Sequence, residues 1–301
     1  MVTVMLRGGL GNQMFEYALG VALAQANRTT LKLDTVWLQD RLPKKKNTCF
    51  AHFNLDIFTL NDTQCLTNLS RAAQRVPVPG LWLGLNLITT GTRILVGARK
   101  LIRERTDRFD SRILEERGDL FLIGYWQSEK YFADVVEELR QAFRFKYPLE
   151  GEAKELSQQI RSANSVSLHV RRGEYVALEH FVGTTDLGYY ERAANFVNER
   201  SKTMGSEPPT FFVFSDDIEW CKKKLKLPFP KVYLDQTSAG PKDSHHLQLM
   251  SLCRHNIIAN STFSWWGAWL NANHDKTVVA PKRWYPNNAK DDLVPERWIR
   301  M

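Results

Sequence analysis

The chain has 301 residues, 43% hydrophobic and 25% charged, a globular composition that excludes a disordered polymer. Its 41 Lys and Arg against 33 Asp and Glu leave a formal charge of +8, which favours anionic partners: a nucleotide, a membrane face or nucleic acid. Cys49, Cys65, Cys221 and Cys253 form no C-x-x-C pair, so no zinc knuckle or redox dithiol is signalled, and a reducing, cytoplasmic compartment fits.

Residues 2–6 form a short apolar run that ends in Arg7-Gly8-Gly9 and reads as a buried strand. From 14 to 26, Met14, Ala18, Leu19, Ala22, Leu23 and Ala26 recur at helical spacing. Residues 29–33 read as a second strand ending in Asp34, which completes a Rossmann-like β-loop-α-β unit. Residues 35–75 carry no clear period. Residues 93–108 place Arg93, Arg99, Lys100, Arg103, Arg105 and Arg108 opposite Ile94, Leu95, Ala98, Leu101 and Ile102. That reads as an amphipathic helix, either an ordinary surface helix or one lying on an anionic membrane face. A strand at 120–123 leads to Gly124-Tyr125-Trp126-Gln127-Ser128, and 129–143 reads as helix.

The pattern breaks around Tyr147-Pro148, so two domains are expected, 1–148 and 149–301. The second half again alternates. Helices are expected at 152–162, 189–200, 218–225, 245–253 and from 265 to 271. Strands are expected at 165–170, 210–214, 231–234, 256–259 and 277–280. Alternation of this kind predicts an α/β fold with parallel sheets, whose ligands bind beyond the carboxyl ends of strands. No signal-peptide order opens the chain, and no apolar run approaches the ~18 residues of a spanning helix.

Three motifs stand at such strand ends. Gly8-Gly9-Leu10-Gly11-Asn12-Gln13 is either a tight turn or an amide-rich loop that touches a ligand. Its dinucleotide fingerprint is incomplete, because Met14 stands where a third glycine would fall, although Asp34 lies ~20 residues on. His169-Val170-Arg171-Arg172-Gly173-Glu174-Tyr175 offers two guanidinium groups suited to a bidentate grip on phosphate. Asn260-Ser261-Thr262-Phe263-Ser264 offers hydroxyls and free amides at a helix start, as a cap or as a phosphate cradle. Trp265, Trp266 and Trp269 read as core. Asp217 reads as a helix cap. With no D-x-D triplet in the chain, the arginines would neutralise a leaving diphosphate with no bound metal.

At these residues the chain resembles the α-1,2-fucosyltransferase family. Gly8 to Ala18 is similar to its G-G-L-G-N-Q-M-F-x-Y-A signature, and His169 to Tyr175 to its H-x-R-R-G-D-Y motif. Phe214 to Asp217 is similar to F-S-D-D, and His255 to Leu270 to H-N-I-I-A-N-S-x-F-S-W-W-G-A-W-L. Two departures stand out: Glu174 where the family has Asp, and His246 where bacterial members often have an acid.

The resemblance implies a GT-B fold: two Rossmann-like domains facing across a cleft, acceptor side in the first and donor side in the second. It implies transfer of L-fucose from GDP-β-L-fucose, with inversion, to the 2-hydroxyl of a terminal β-galactoside, without a metal cofactor. Expected donor contacts are His169, Arg171, Arg172, Asp243, Ser261, Thr262 and Phe263. Expected catalytic residues are Arg171, Glu174 and Asn12, with Glu179 or a donor phosphate oxygen as the other proton acceptors. Asp243 is the carboxylate placed for guanine. The alternatives are another GDP-sugar transferase of the same fold, an NAD-dependent oxidoreductase built on the first β-α-β unit, and a nucleic-acid-binding module suggested by the charge alone.

Overall fold

The computed structural model describes residues 1–39, 52–60, 64–66, 100–172, 185–285 and 292–301. The chain divides into two compact units, Met1–Arg144 and Phe145–Met301.

In the first unit, β1 (Val2–Met5), β2 (Leu31–Asp34), β3 (Gln64–Leu66), β4 (Lys100–Arg103) and β5 (Leu120–Ile123) form one sheet in the order β3-β2-β1-β5-β4. Every pairing is parallel. Helix α1 (Leu10–Ala26) connects β1 to β2. It starts four residues before the predicted 14, because Gly9 is extended at the N-cap (φ −75°, ψ 179°) and Leu10 can already enter the helix. Short α2 (Val36–Gln39) and α3 (Val136–Ala142) complete the unit. Phe15, Tyr17, Phe58, Phe132 and Phe143 pack ring to ring at 5.0–6.1 Å, each burial contributing about 1.5–3 kcal/mol.

The helix expected over 93–108 is corrected where the structure describes it. Residues 100–103 are the strand β4, in register with β5 from Lys100↔Leu120 to Arg103↔Ile123. Among the described residues one neighbour, β5, flanks this strand in the sheet order, and Lys100 and Arg103 stay exposed while Ile102 is buried. Charged ends on a half-covered edge strand imitate an amphipathic helix over so short a window. Residues 93–99 lie outside the described residues.

The second unit is built from α4 (Gly151–Ser162), β6 (Ser165–Val170), α5 (Leu187–Thr203), β7 (Thr210–Ser215), α6 (Ile218–Lys224), β8 (Lys231–Leu234), α7 (Ser244–Leu252), β9 (His255–Ile257), α8 (Thr262–Leu270), β10 (Val278–Ala280) and β11 (Ile299–Arg300). Its sheet order is β11-β10-β9-β6-β7-β8, with parallel pairings. Alternation along β6 and β7 sorts the two faces. Val166, Leu168, Val170, Phe211 and Val213 pack with α5 and α6. Phe212 and Phe214 pack with Leu156 and Ile160 of α4 and with Leu249 and Met250 of α7. His169 therefore falls on the α7 face of the sheet.

Counted from β6, the sheet runs 3-2-1-4-5-6, the doubly wound order. Its direction of winding reverses between β6 and β9. Loops leaving the carboxyl ends of two strands at such a point diverge, and the crevice between them is where ligands bind. In the first unit the reversal lies between β1 and β5.

Candidate active site

The arginine motif leaves β6 at this reversal. Val170 pairs with Ser215, so Arg171 and Arg172 emerge beside Asp216 and Asp217 at the end of β7. Asp216 takes both: Oδ1 accepts from the Arg172 amide at 2.8 Å, and Oδ2 lies 3.0 Å from Arg171 Nη1. Arg172 is then held from two sides. Its Nε is 3.2 Å from Asp217 Oδ2, and its guanidinium lies 3.8 Å over the Trp220 ring. Asp217 also accepts from the Trp220 amide at 3.1 Å and so caps α6, as the sequence predicts. The two arginines are thus unequal. Arg172 anchors the loop through an ion pair and a cation–π contact. Arg171 pairs with Asp216 and keeps 33% of its side chain exposed.

Beyond β9, Ser261 is the N-cap residue of α8. Its backbone is extended (φ −132°, ψ 125°), and its hydroxyl makes no capping bond. Of the two alternatives for this segment, the side-chain cap is absent. The first-turn amides carry the positive end of the helix dipole toward the reversal point. The His169 and Phe263 ring centroids are 6.0 Å apart, so the arginine strand and the start of α8 converge. Trp265, Trp266 and Trp269 are buried core, as expected.

His169 is not a third positive charge. Burial, then Arg171 and His246, hold its pKa down to about 3, and its Nδ1 is buried without a partner among the described residues. The sign of the linkage follows. Unfolded histidine takes up a proton near pH 6.5, and the folded imidazole does not until about 3. The stability is present above pH 6.5 and is lost as pH falls. At pH 5 the expected loss is about 2 kcal/mol. Melting temperatures measured from pH 7 to 5 should fall, and His169→Gln should flatten that slope. An unchanged slope in the variant would contradict the assignment.

Gly240, Lys242 and Asp243 have φ of +69°, +52° and +59°. Two consecutive non-glycine residues in the left-handed region cost about 1–3 kcal/mol each. The Asp243 side chain is exposed and does not cap α7. His246 is buried, its Nε2 3.1 Å from Ser238 Oγ and its ring edge-on to Phe214. In this stretch the Asp243 carboxylate is exposed, while His246 belongs to the core.

In the first unit, Gly8 takes φ +68°, and a Cβ there would lie 2.5 Å from Asn12 Nδ2. Asn12 Oδ1 accepts from Gln127 Nε2 at 2.8 Å. Asn12 lies in the first turn of α1 after β1, and Gln127 follows β5; these strands flank the reversal of this sheet. Gln13 is a staple: Nε2 donates to Gly8 O at 2.9 Å and His52 O at 2.7 Å, and Oε1 accepts from Asn54 N at 3.0 Å. Asp34 is 1% exposed and accepts from Val36 N at 2.9 Å, which turns it inward rather than toward a ribose. Glu174 and Glu179 lie outside the described residues.

A cavity of about 350 Å³ at the other end of the second sheet is lined by Arg161, Arg200, Arg254 and His255. Arg161 and Arg200 occupy the last turns of α4 and α5, where cations answer the helix dipoles. Among the described residues, no cluster of three or more His, Cys, Asp or Glu is placed to hold a metal ion. No helix among them is long and apolar enough to cross a membrane.

Two Rossmann-like units, one carrying arginines and an uncapped helix start at its reversal point, give a fold of GT-B type. The model of glycosyl transferase family 11 matches residues 102–301, and the chain belongs to that family. It is 34% identical to an α-1,2-colitosyltransferase of Escherichia coli, over 100% of this chain and 98% of that one. It is 29% identical to the O-antigen biosynthesis glycosyltransferase WbnK of Escherichia coli, over 98% and 99%. A galactoside 2-α-L-fucosyltransferase of Bos taurus is 24% identical, over 89% of this chain and 64% of its own length.

Proposed function

We propose that this chain transfers L-fucose from GDP-β-L-fucose to the 2-hydroxyl of a terminal β-galactoside, with inversion, in the assembly of a surface polysaccharide. The observation that supports it most is the convergence of Arg171 and the uncapped α8 start at one sheet reversal, in a chain whose relatives are 1,2-transferases and O-antigen enzymes. In this reading the diphosphate lies against Arg171 and the amides of Thr262 and Phe263, with Ser261 and His169 lining it. Arg172 fixes the loop, and Asp243 pairs with the guanine edge.

The reaction is a single displacement. The acceptor oxygen attacks C1 of the sugar, the C1–O bond to the β-phosphate breaks, and its electron pair leaves with GDP. Arg171 stabilises the charge gained by the leaving oxygen. The acceptor proton passes to Glu174, with Glu179 or a phosphate oxygen as the alternatives. Asn12 holds the reacting sugar through its amide. No metal is required. Contact with an anionic membrane face is a further element of the reading, consistent with the formal charge of +8.

The 34% identical colitosyltransferase favours a second donor, GDP-colitose. Colitose lacks the 3-hydroxyl of fucose, so the pocket either pairs that hydroxyl or excludes it. A screen of GDP-fucose, GDP-colitose, GDP-mannose and NAD against a panel of galactosides, with linkage read by NMR, separates these. The proposal expects α-1,2-linked fucose on galactose. Transfer of colitose alone would reassign the donor, and turnover with none of the GDP-sugars would sink the reading.

A further inference from the structure

We propose that Glu104 is a positioning residue for the transfer, acting through the turn at 125–127 on the side-chain amide of Asn12. It rests on the proposed role of Asn12 and extends it to a residue 92 positions away.

The edge strand β4 delivers Glu104 beside the end of β5, where its amide donates to Ile123 O at 3.0 Å. Only glycine lets the chain pass here: a Cβ on Gly124 would lie 2.4 Å from Glu104 Cβ and 2.8 Å from the Trp126 ring. The Glu104 carboxylate then takes the next two amides, Tyr125 N to Oε2 at 2.7 Å and Trp126 N to Oε1 at 2.9 Å. Charge-assisted bonds of this kind are about twice as strong as neutral ones. They hold Trp126 at φ +54°, a conformation that a bulky residue adopts only under constraint. The indole is 1% exposed and stands edge-on to Tyr131, ring centroids 5.8 Å apart.

The product of that constraint is the aim of the next side chain. Gln127 Nε2 reaches Asn12 Oδ1 across the sheet reversal at 2.8 Å. The bond from Gln127 to Oδ1, with Nδ2 beside Gly8, fixes the orientation of the Asn12 amide. Both Glu104 oxygens are occupied by amides, so this carboxylate is not placed to take a proton from an acceptor hydroxyl; its work is geometric. The titratable groups around it are Arg7, Glu16, Asp107 and Tyr125. Arg7 lies 4.8 Å over the Tyr125 ring and closes the cluster.

The test is a double-mutant cycle on kcat, using the donor and acceptor chosen by the screen above. Wild type, Glu104→Gln, Asn12→Ala and the double variant are compared, with GDP affinity measured by calorimetry. Glutamine keeps the size but turns an NH2 toward a backbone amide. A misplacement of ~1 Å can cost up to ~10²-fold, and a tenfold or larger fall in kcat with unchanged GDP affinity is expected from Glu104→Gln. In the Asn12→Ala background the same change should cost less than about twofold, because coupled residues are non-additive. An equal cost in both backgrounds, or normal kcat in Glu104→Gln alone, overturns the proposal. Normal kcat in Asn12→Ala overturns instead the reading beneath it. Should Glu104→Gln fail to fold, Gln127→Ala breaks the same chain one step later and must show the same non-additivity.

Discussion

Arg171→Ala is expected to lower turnover by about 10²–10³-fold, or ~2.7–4 kcal/mol of transition-state stabilisation, with a near-normal melting temperature. The charge on the leaving diphosphate grows as the sugar–oxygen bond breaks, so a fixed guanidinium contributes more in the transition state than in the ground state. GDP affinity should fall less than kcat does. The fold should tolerate the change because Arg171 is one-third exposed and Asp216 keeps its bond to the Arg172 amide. Arg171→Lys should recover only part of the loss, since an ammonium cannot grip two oxygens in a plane. Near-normal kcat in the alanine variant would remove Arg171 from the mechanism.

Asn256→Leu is expected to cost about 3–5 kcal/mol of stability. Asn256 is fully buried on β9. Its Nδ2 donates to Ser167 Oγ at 2.8 Å and Met250 O at 2.9 Å, and its Oδ1 accepts from Asn271 Nδ2 at 2.8 Å. Leucine is close in size and leaves three buried groups short of a partner, each costing about 1–3 kcal/mol. Differential scanning calorimetry should show the transition of the second unit lowered on the order of 10 °C. A shift under about 2 °C would mean that Ser167 and Asn271 find other partners. The network also has a functional side, because it ties β9 to β6 behind the point where His169 of β6 and Phe263 of α8 approach each other. Partial loss of activity below the melting temperature should therefore accompany the destabilisation.

The strands β5, β6 and β8 match the sequence reading residue for residue. Each is a compact run bounded by Gly, Asn, Pro or a charged pair, so hydrophobic pattern and breakers agree. The two arginines of the second unit were legible as a charged cluster at the mouth of an apolar strand, and their carboxylate partners are Asp216 and Asp217. Their division of labour was not legible. Only the register Val170↔Ser215 sets Arg172 against Asp217 and Trp220 and leaves Arg171 toward solvent.

Short edge strands were the weakest reading. β3 and β11, of three and two residues, are too short to show a period, and the charged ends of β4 imitated a helix. Gln13 and Gln127 mark another boundary. One is a buried staple where a loop residue was expected, and the other meets Asn12 from 115 positions away, because the strand order places β5 beside β1. Composition carries no trace of that adjacency. His169 shows the same limit in electrostatics: its burial, which holds the imidazole neutral, cannot be read from its place beside two arginines.

The most direct measurement of the central claim is a crystal structure with GDP bound in the presence of EDTA. The account predicts the β-phosphate within hydrogen-bond reach of the Arg171 guanidinium and of the amides of Thr262 and Phe263, with no ion between. A diphosphate held elsewhere, or bound only when magnesium or manganese is restored, would contradict it.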